Sequence, residues 1–109
     1  MPNMNDIWDN FRVTSPSKIE EYLGRNPQLI GHLVAAIPVI RKHLPEAGMP
    51  ILIHRVSGWE EDLMIHIPLP DSIDVLEGKR RLDLIDDEWW VPLPADVRNT
   101  LLADFRWNQ

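Results

Sequence analysis

The sequence predicts an α+β domain in which helices cover one face of a three-stranded antiparallel sheet. The N-terminal half contains helix-start signals followed by apolar residues at helical spacing. Two β-rich runs lie between Pro50 and Pro68, and in the last apolar run every second residue is apolar, as in a strand. With 109 residues, of which 44% are hydrophobic, the chain is long enough for one core, and we expect a single domain over 1–109.

Three N-terminal helices are predicted before the hairpin. Ser15-Pro16 and Asn26-Pro27 are helix starts, because Ser and Asn cap a first turn and proline is tolerated there. Pro38 lies inside the third helix and removes one hydrogen bond, so we expect a kink or a break into two pieces. The positions expected to face the core are Ile19, Tyr22 and Leu23 in the second helix and Leu29, Leu33, Ile37, Ile40 and Leu44 in the third.

The hairpin is predicted from the β-rich runs 51–56 and 62–67, joined by the loop 57–61. With this loop, Val56 pairs near Asp62, and alternate residues of each strand lie on opposite faces of the sheet. The predicted core face holds Ile51, Ile53, Leu63, Ile65 and Ile67, and the opposite face holds Leu52, His54, Val56, Met64 and His66.

A helix and a last strand complete the predicted order. Asp71 is the expected N-cap of the helix, and the acidic run 86–88 is expected to start a separate turn. The alternating segment Leu101–Trp107 predicts the third strand, with Phe105 and Trp107 towards the helices. We expect it beside the first strand of the hairpin, which gives the sheet order 2-1-3 with every neighbouring pair antiparallel.

Composition narrows the classes of function. The absence of cysteine excludes a disulfide, a thiolate zinc site and a cysteine nucleophile, and a formal net charge of −6 opposes binding to nucleic-acid phosphates. The longest apolar stretch, Leu33 to Ile40, is too short to cross a bilayer, and the first residues do not form a signal peptide. We therefore expect a cytoplasmic protein that binds neither nucleic acid nor membrane, and no cofactor is indicated.

One pair of histidines offers a site for chemistry. His54 and His66 are predicted on one face of the hairpin, either directly opposite or as diagonal neighbours about 7–8 Å apart. Two imidazoles can share a zinc or nickel ion when a third ligand is near, and Asp62 is the candidate for that ligand. The alternative interpretation is that both histidines are polar residues on a solvent-exposed sheet face.

Tryptophan is more abundant than a small core requires, with five residues in the chain. The predicted first helix, 5–12, has an apolar side, and we expect exposure of Trp59 in the hairpin loop and of one member of the pair Trp89 and Trp90 in the acidic turn. If these side chains cluster at the surface, they form the kind of apolar patch that marks a protein interface. The candidate partner-binding residues are Ile7, Trp8, Phe11, Trp59 and Trp90.

Three stretches carry a family resemblance: SPSKIEEYLGRNP at 15–27, AIP at 36–38 and LDLIDDEWW at 82–90. Together with the last strand they resemble, in the same order, a family of small uncharacterised bacterial α+β proteins. The resemblance implies no activity, cofactor or catalytic residue. Members of that family look like one half of a two-gene cassette, which implies a protein partner.

The function predicted from sequence is a non-enzymatic protein-interaction module, either the acidic member of a small bacterial two-gene pair or a homodimer. The alternative is a small metal-binding protein or enzyme that uses His54 and His66.

Overall fold

The computed structural model describes the backbone of residues 2–107 and the side chains of residues 2–100. This part of the chain contains five α-helices and four strands, and a π-helical turn, Asp86–Trp90, extends the fourth helix. None of the helices between residues 2 and 107 has the length and apolar character needed to cross a membrane. The elements are α1 (Met4–Asn10), β1 (Arg12–Val13), α2 (Pro16–Arg25), α3 (Gln28–His43), β2 (Ile51–Ser57), β3 (Glu60–Leu69), α4 (Val75–Ile85), α5 (Ala95–Arg98) and β4 (Leu101–Trp107).

The strands form a mixed sheet in the order β1-β2-β3-β4. The hairpin β2–β3 is antiparallel, whereas β1 runs parallel to β2 and β4 runs parallel to β3. The α+β class is confirmed, but the antiparallel order 2-1-3 is wrong. The edge of β2 expected to bind the last strand is occupied by β1, where the amide of Arg12 donates to the carbonyl of Pro50 over 2.8 Å. The last strand therefore lies beside β3 at the opposite edge.

One hydrophobic core joins the helices to one face of the sheet. All the predicted core positions of the second and third helices are buried, which confirms their apolar stripes. The buried Trp89 ties the π-helical turn to α3, since its indole N–H donates to the carbonyl oxygen of His32 over 2.7 Å. The strand residues in this core are Leu52, Leu63, Ile65, Ile67 and Leu69.

The predicted faces of β2 are wrong by one residue. Leu52 pairs with Ile65 and is fully buried at 0% relative exposure, whereas Ile53 pairs with Met64 on the other face and is partly exposed. A shift of one residue in strand pairing moves every side chain of a strand to the opposite face. The predicted faces of β3 are confirmed, because Leu63 and its alternate neighbours are buried. The error in the faces of β2 therefore comes from the predicted length of the hairpin loop.

Three local expectations on the helices are also corrected. Pro38 lies within α3, which continues unbroken from Gln28 to His43, so the predicted break is absent. The N-cap of α4 is Asp74 rather than Asp71, because its carboxylate accepts a hydrogen bond from the amide of Glu77 over 2.9 Å. The acidic run 86–88 does begin a turn that carries Trp89 and Trp90, but this π-helical turn is not separate, because it follows α4 directly. The short helix α5 was not predicted.

The last strand has the predicted bounds. Its parallel register aligns Phe105 with Ile67 and Trp107 with Leu69, both of which are buried positions of β3. The expectation that the side chains of Phe105 and Trp107 face the helices lies outside the residues whose side chains the structure describes.

Candidate functional site

Trp59 lies at the tip of the hairpin with its side chain in solvent. Ser57 pairs with Glu60, so the loop consists of Gly58 and Trp59 alone. Gly58 has φ +61°, the conformation required at the first central position of a type II′ turn, which matches the twist of the two strands. The relative exposure of Trp59 is 102%, and the nearby Val56 is exposed at 64%. The hairpin therefore presents a large apolar side chain at the end of a short turn.

A cluster of polar side chains attaches the hairpin to α2. The Nε2 atom of His54 lies 2.9 Å from Oε2 of Glu61, and since a carboxylate only accepts hydrogen bonds, the imidazole donates. The guanidinium of Arg25 donates to both oxygens of the same carboxylate, at 3.1 and 3.5 Å. The Tyr22 and His54 ring centroids lie 5.5 Å apart with the ring planes tilted by 60°, and the Arg25 guanidinium lies 5.6 Å from the Tyr22 ring centroid. We call these four residues the tip cluster.

Contacts within the tip cluster shift the pKa values of Glu61, Tyr22 and Arg25, and the hydrogen bond to Glu61 raises the pKa of Arg25. Hydrogen bonds from His54 and then Arg25 lower the pKa of Glu61 below its ordinary value. Burial raises the pKa of the Tyr22 hydroxyl, and the carboxylates of Glu61 and Asp62 raise it further. The carboxylate of Glu61 is therefore held in its charged form, as a fixed acceptor between α2 and the hairpin.

A second pair on the other face of the sheet stiffens the same hairpin. Arg55 and Asp62 are directly opposite each other, and the guanidinium donates to both carboxylate oxygens at 2.8 and 3.0 Å. Two parallel hydrogen bonds restrict orientation more than a single contact does. The hairpin that carries Trp59 is thus held by a pair of side chains on each face, His54 with Glu61 and Arg55 with Asp62.

Replacing Glu61 by Gln should make stability less sensitive to acid. A carboxylate whose pKa is lowered on folding stabilises the protein above its unfolded pKa of about 4.3, and this stabilisation is lost as the pH falls through the lower folded pKa. The free energy of unfolding of the E61Q variant should therefore decline less than that of the wild type below about pH 4.3, as measured by urea denaturation at several pH values.

The matched control for this experiment is Glu60→Gln. Glu60 is exposed and makes no ion pair among the described residues, so the E60Q variant should follow the acid decline of the wild type. Parallel declines for wild type and E61Q would show that Glu61 is not held by the tip cluster.

The other candidate partner-binding residues do not join Trp59 in a surface patch. Ile7 and Phe11 are buried in the core, because α1 packs its apolar side against α3. Trp8 is partly buried against that core. Trp90 is also partly buried, and the guanidinium of Arg98 lies 5.6 Å from its ring. The apolar side of the first helix therefore faces the core, so these side chains form no surface patch with Trp59, and Trp59 is the candidate with a fully exposed side chain.

The structure does not bring the proposed metal ligands together. His54 pairs with Leu63 and His66 pairs with Ile51, so the two imidazoles lie on opposite faces of the sheet. Asp62 lies on the face of His66 and is bound by Arg55. No group of three or more His, Cys, Asp or Glu side chains within the described part of the chain is arranged to hold a metal ion. The expectation that the histidines share a face is wrong.

Sequence reasoning missed the tip cluster because it assigned too long a loop to the hairpin. With the loop reduced to Gly58-Trp59, His54 and Glu61 become diagonal neighbours on one face of the antiparallel pair, where long side chains reach each other. The glycine at the first central position was the available signal, since type II′ turns favour it there. Nothing in the sequence indicates that Tyr22 and Arg25 of α2 reach the same face.

Comparison of the chain with protein-family models, curated proteins and solved structures gives no significant match. The resemblance to the bacterial family described above stays a prediction.

Proposed function

We propose that the chain is a non-enzymatic protein-interaction module whose anchor is Trp59. The observation that carries this proposal is the full exposure of a tryptophan on a tight, braced turn. Tryptophan is enriched among the residues that dominate binding energy at protein interfaces, where it fills a pocket on the partner. An exposed tryptophan on a mobile loop would be a weaker indication of a binding site. The turn that carries Trp59 is instead held by side-chain contacts on both faces of the hairpin.

The rigidity of the hairpin tip favours binding. Association costs free energy for every side chain and loop that must be ordered, so an anchor that is already held in place binds more tightly. His54 and Glu61 fix one face of the hairpin to α2, and Arg55 with Asp62 fixes the other. The backbone that carries Trp59 is thus ordered before a partner arrives.

The charge near Trp59 indicates what kind of partner surface would bind it. Glu60 follows Trp59 directly and makes no ion pair among the described residues, whereas Glu61 and Asp62 are paired with Arg25 and Arg55, and the whole chain carries a formal net charge of −6. A partner with an apolar pocket and a basic rim would be attracted to this tip and oriented on it. A protein encoded beside this one and a second copy of this chain are the two partners predicted from sequence, and the acidic net charge of the chain favours the former.

The alternative function, an enzyme or metal-binding protein, has less support from the geometry. His54 lines a cavity of about 250 Å³ with Glu61, but its side chain is only 9% exposed and its Nε2 atom is engaged by that carboxylate. Glu61 is in turn bound by Arg25. Each polar group of the tip cluster is used to hold α2 and the hairpin together, which favours a positioning role.

Replacing Trp59 by Ala should abolish association without lowering stability. Loss of an anchoring tryptophan weakens an interface by about 2 kcal/mol or more, roughly 30-fold in affinity. We would capture partners from cells of the source organism with tagged wild type and W59A protein, and follow self-association of the pure proteins by sedimentation velocity. The melting temperature of W59A should equal that of the wild type, because the side chain makes no buried contact.

Leu76→Ala is the matched control, because Leu76 is also a large exposed apolar side chain, at 80% relative exposure, but lies on α4. The L76A variant should capture the same protein, in the same amount, as the wild type. If W59A also retains that protein, or a self-association equal to that of the wild type, Trp59 is not the anchor and the proposal fails.

A further inference from the structure

The hairpin has a second face, on the side of the sheet away from the helices. It carries the odd-numbered residues of β2 and the even-numbered residues of β3, because side chains alternate along a strand. Its apolar residues are Ile51, Ile53, Met64 and Pro68, and each of them keeps part of its surface exposed, whereas Leu52 between the first two is fully buried. We call this surface the open face.

The sequence of the hairpin is typical of strands that are covered on both faces. In β2 the run Ile51-Leu52-Ile53 is apolar without a break, and in β3 the segment 63–69 has His66 as its one polar residue. A solvated face gives an alternation of apolar and polar residues, whereas near-continuous apolar runs are typical of parallel sheets, in which helices cover both faces. Both β2 and β3 have a parallel neighbour here. The open face is therefore suited to a covering helix.

The helices of this chain pack on the other face of the sheet. Each described α-helix contributes to the single core that contains Leu52 and Leu63, and the contributing residues include Ile7 of α1, Ile19 of α2, Leu33 of α3, Ile85 of α4 and Val97 of α5. A helix that covers the open face would therefore belong to a partner.

The charge at the tip end of the open face is negative. Glu60 is exposed, lies on this face beside Trp59 and makes no ion pair among the described residues. Arg55 and Asp62, the next pair along the face, neutralise each other at 2.8 Å. A basic residue at one end of the covering helix would compensate Glu60, and further basic residues would suit a chain with a formal net charge of −6.

We propose that the partner of Trp59 lays a basic amphipathic helix along the open face, with its apolar side on Ile53 and Met64 and a basic residue at Glu60. The inference rests on the proposed function, since Trp59 and Glu60 are adjacent and one partner would contact both. From Glu60 to Pro68 the strand spans about 26 Å at roughly 3.3 Å per residue. A helix of about 17 residues has the same length at 1.5 Å per residue.

The probe is a synthetic peptide of about 17 residues, with leucine on one side of the helix and lysine and alanine on the other. Titration of the full chain, followed by the methyl signals of isoleucine and methionine, should shift Ile51, Ile53 and Met64. The methyl groups of Ile65, on the helix side, and of Met49, outside the hairpin, should shift much less. A peptide with glutamate in place of lysine should bind at least about tenfold more weakly, because like charges oppose each other.

The double variant I53T/M64T should weaken the lysine peptide by about tenfold, since it removes apolar contact area. Threonine keeps a high strand propensity, and the variant should melt cooperatively. Val75→Thr is the matched control, because Val75 is exposed at 62% but lies on α4. It should leave the affinity within about twofold of the wild type.

Absence of binding, equal affinity for the glutamate peptide, shifts centred on Ile65 or Met49, or an unchanged affinity in a folded I53T/M64T variant would each overturn the inference. The failure of this inference is separate from that of the proposed function. If W59A loses the captured partner but the peptide leaves the open face unshifted, Trp59 remains the anchor and the helix is refuted. If W59A retains the partner, the anchor is refuted whatever the peptide does, and the helix then has no assigned partner.

Discussion

Replacing Leu52 by Ala is expected to lower the free energy of unfolding by about 2–5 kcal/mol, the cost of removing a buried leucine side chain and leaving a cavity. Leu52 is fully buried, pairs with Ile65 and belongs to the core that joins the sheet to the helices. Urea denaturation measures the loss as a lower transition midpoint with an unchanged slope.

Ile53→Ala provides the matched comparison, because Ile53 is the next residue of the same strand and lies on the other face. Its side chain is partly exposed, so its truncation should cost clearly less than that of Leu52. An equal or larger loss for I53A would place Ile53 in the core instead, and the register of β2 on β3 described above would then be wrong.

Ending the chain at Thr100 is expected to prevent folding to a stable, monodisperse protein. The truncation removes β4, which pairs with β3 from Leu63–Leu101 to Leu69–Trp107. The exposed edge of β3 would then present unpaired backbone groups beside an apolar run, a template for aggregation. We would measure folding by circular dichroism melts and size-exclusion chromatography of the purified protein. Recovery of the truncated protein only in inclusion bodies would also be the expected result.

A chain ending at Trp107 is the control for that truncation, since it keeps every residue of β4. It should melt cooperatively at the temperature of the full chain. A monomer ending at Thr100 with an equally cooperative melt would show that β4 is dispensable, and the parallel pairing of β3 with β4 would lose its structural role.

Much of the fold could be predicted because periodicity and proline signals are local. The apolar stripe from Leu29 to Leu44 predicted the buried side of α3, and the alternation in Leu101–Trp107 predicted β4. The sheet order could not be predicted, since β1 comprises only Arg12–Val13 and two residues show no period. Its parallel pairing with β2 depends on the path of α2 and α3, which no local pattern contains.

The candidate site was predictable in part. Trp59 was selected correctly as exposed because it lies beside Gly58 in a turn. Ile7 and Phe11 were predicted to bind a partner but are buried in the core. The sequence could not distinguish the two, because an apolar stripe on a short helix looks the same whether it faces the core or a partner. The tip cluster was missed because one residue of loop length decides which face His54 occupies.

The two parallel pairings determine how the chain can reach its fold. The hairpin β2–β3 is closed by a turn and can form within microseconds. Each outer strand pairs with residues roughly 40 positions away, so a long loop must close before any of its hydrogen bonds form, and such contacts slow folding. The strands β1 and β4 thus add to opposite edges of the hairpin, which can form before either of them pairs. Until they do, both edges of that hairpin remain open to other chains.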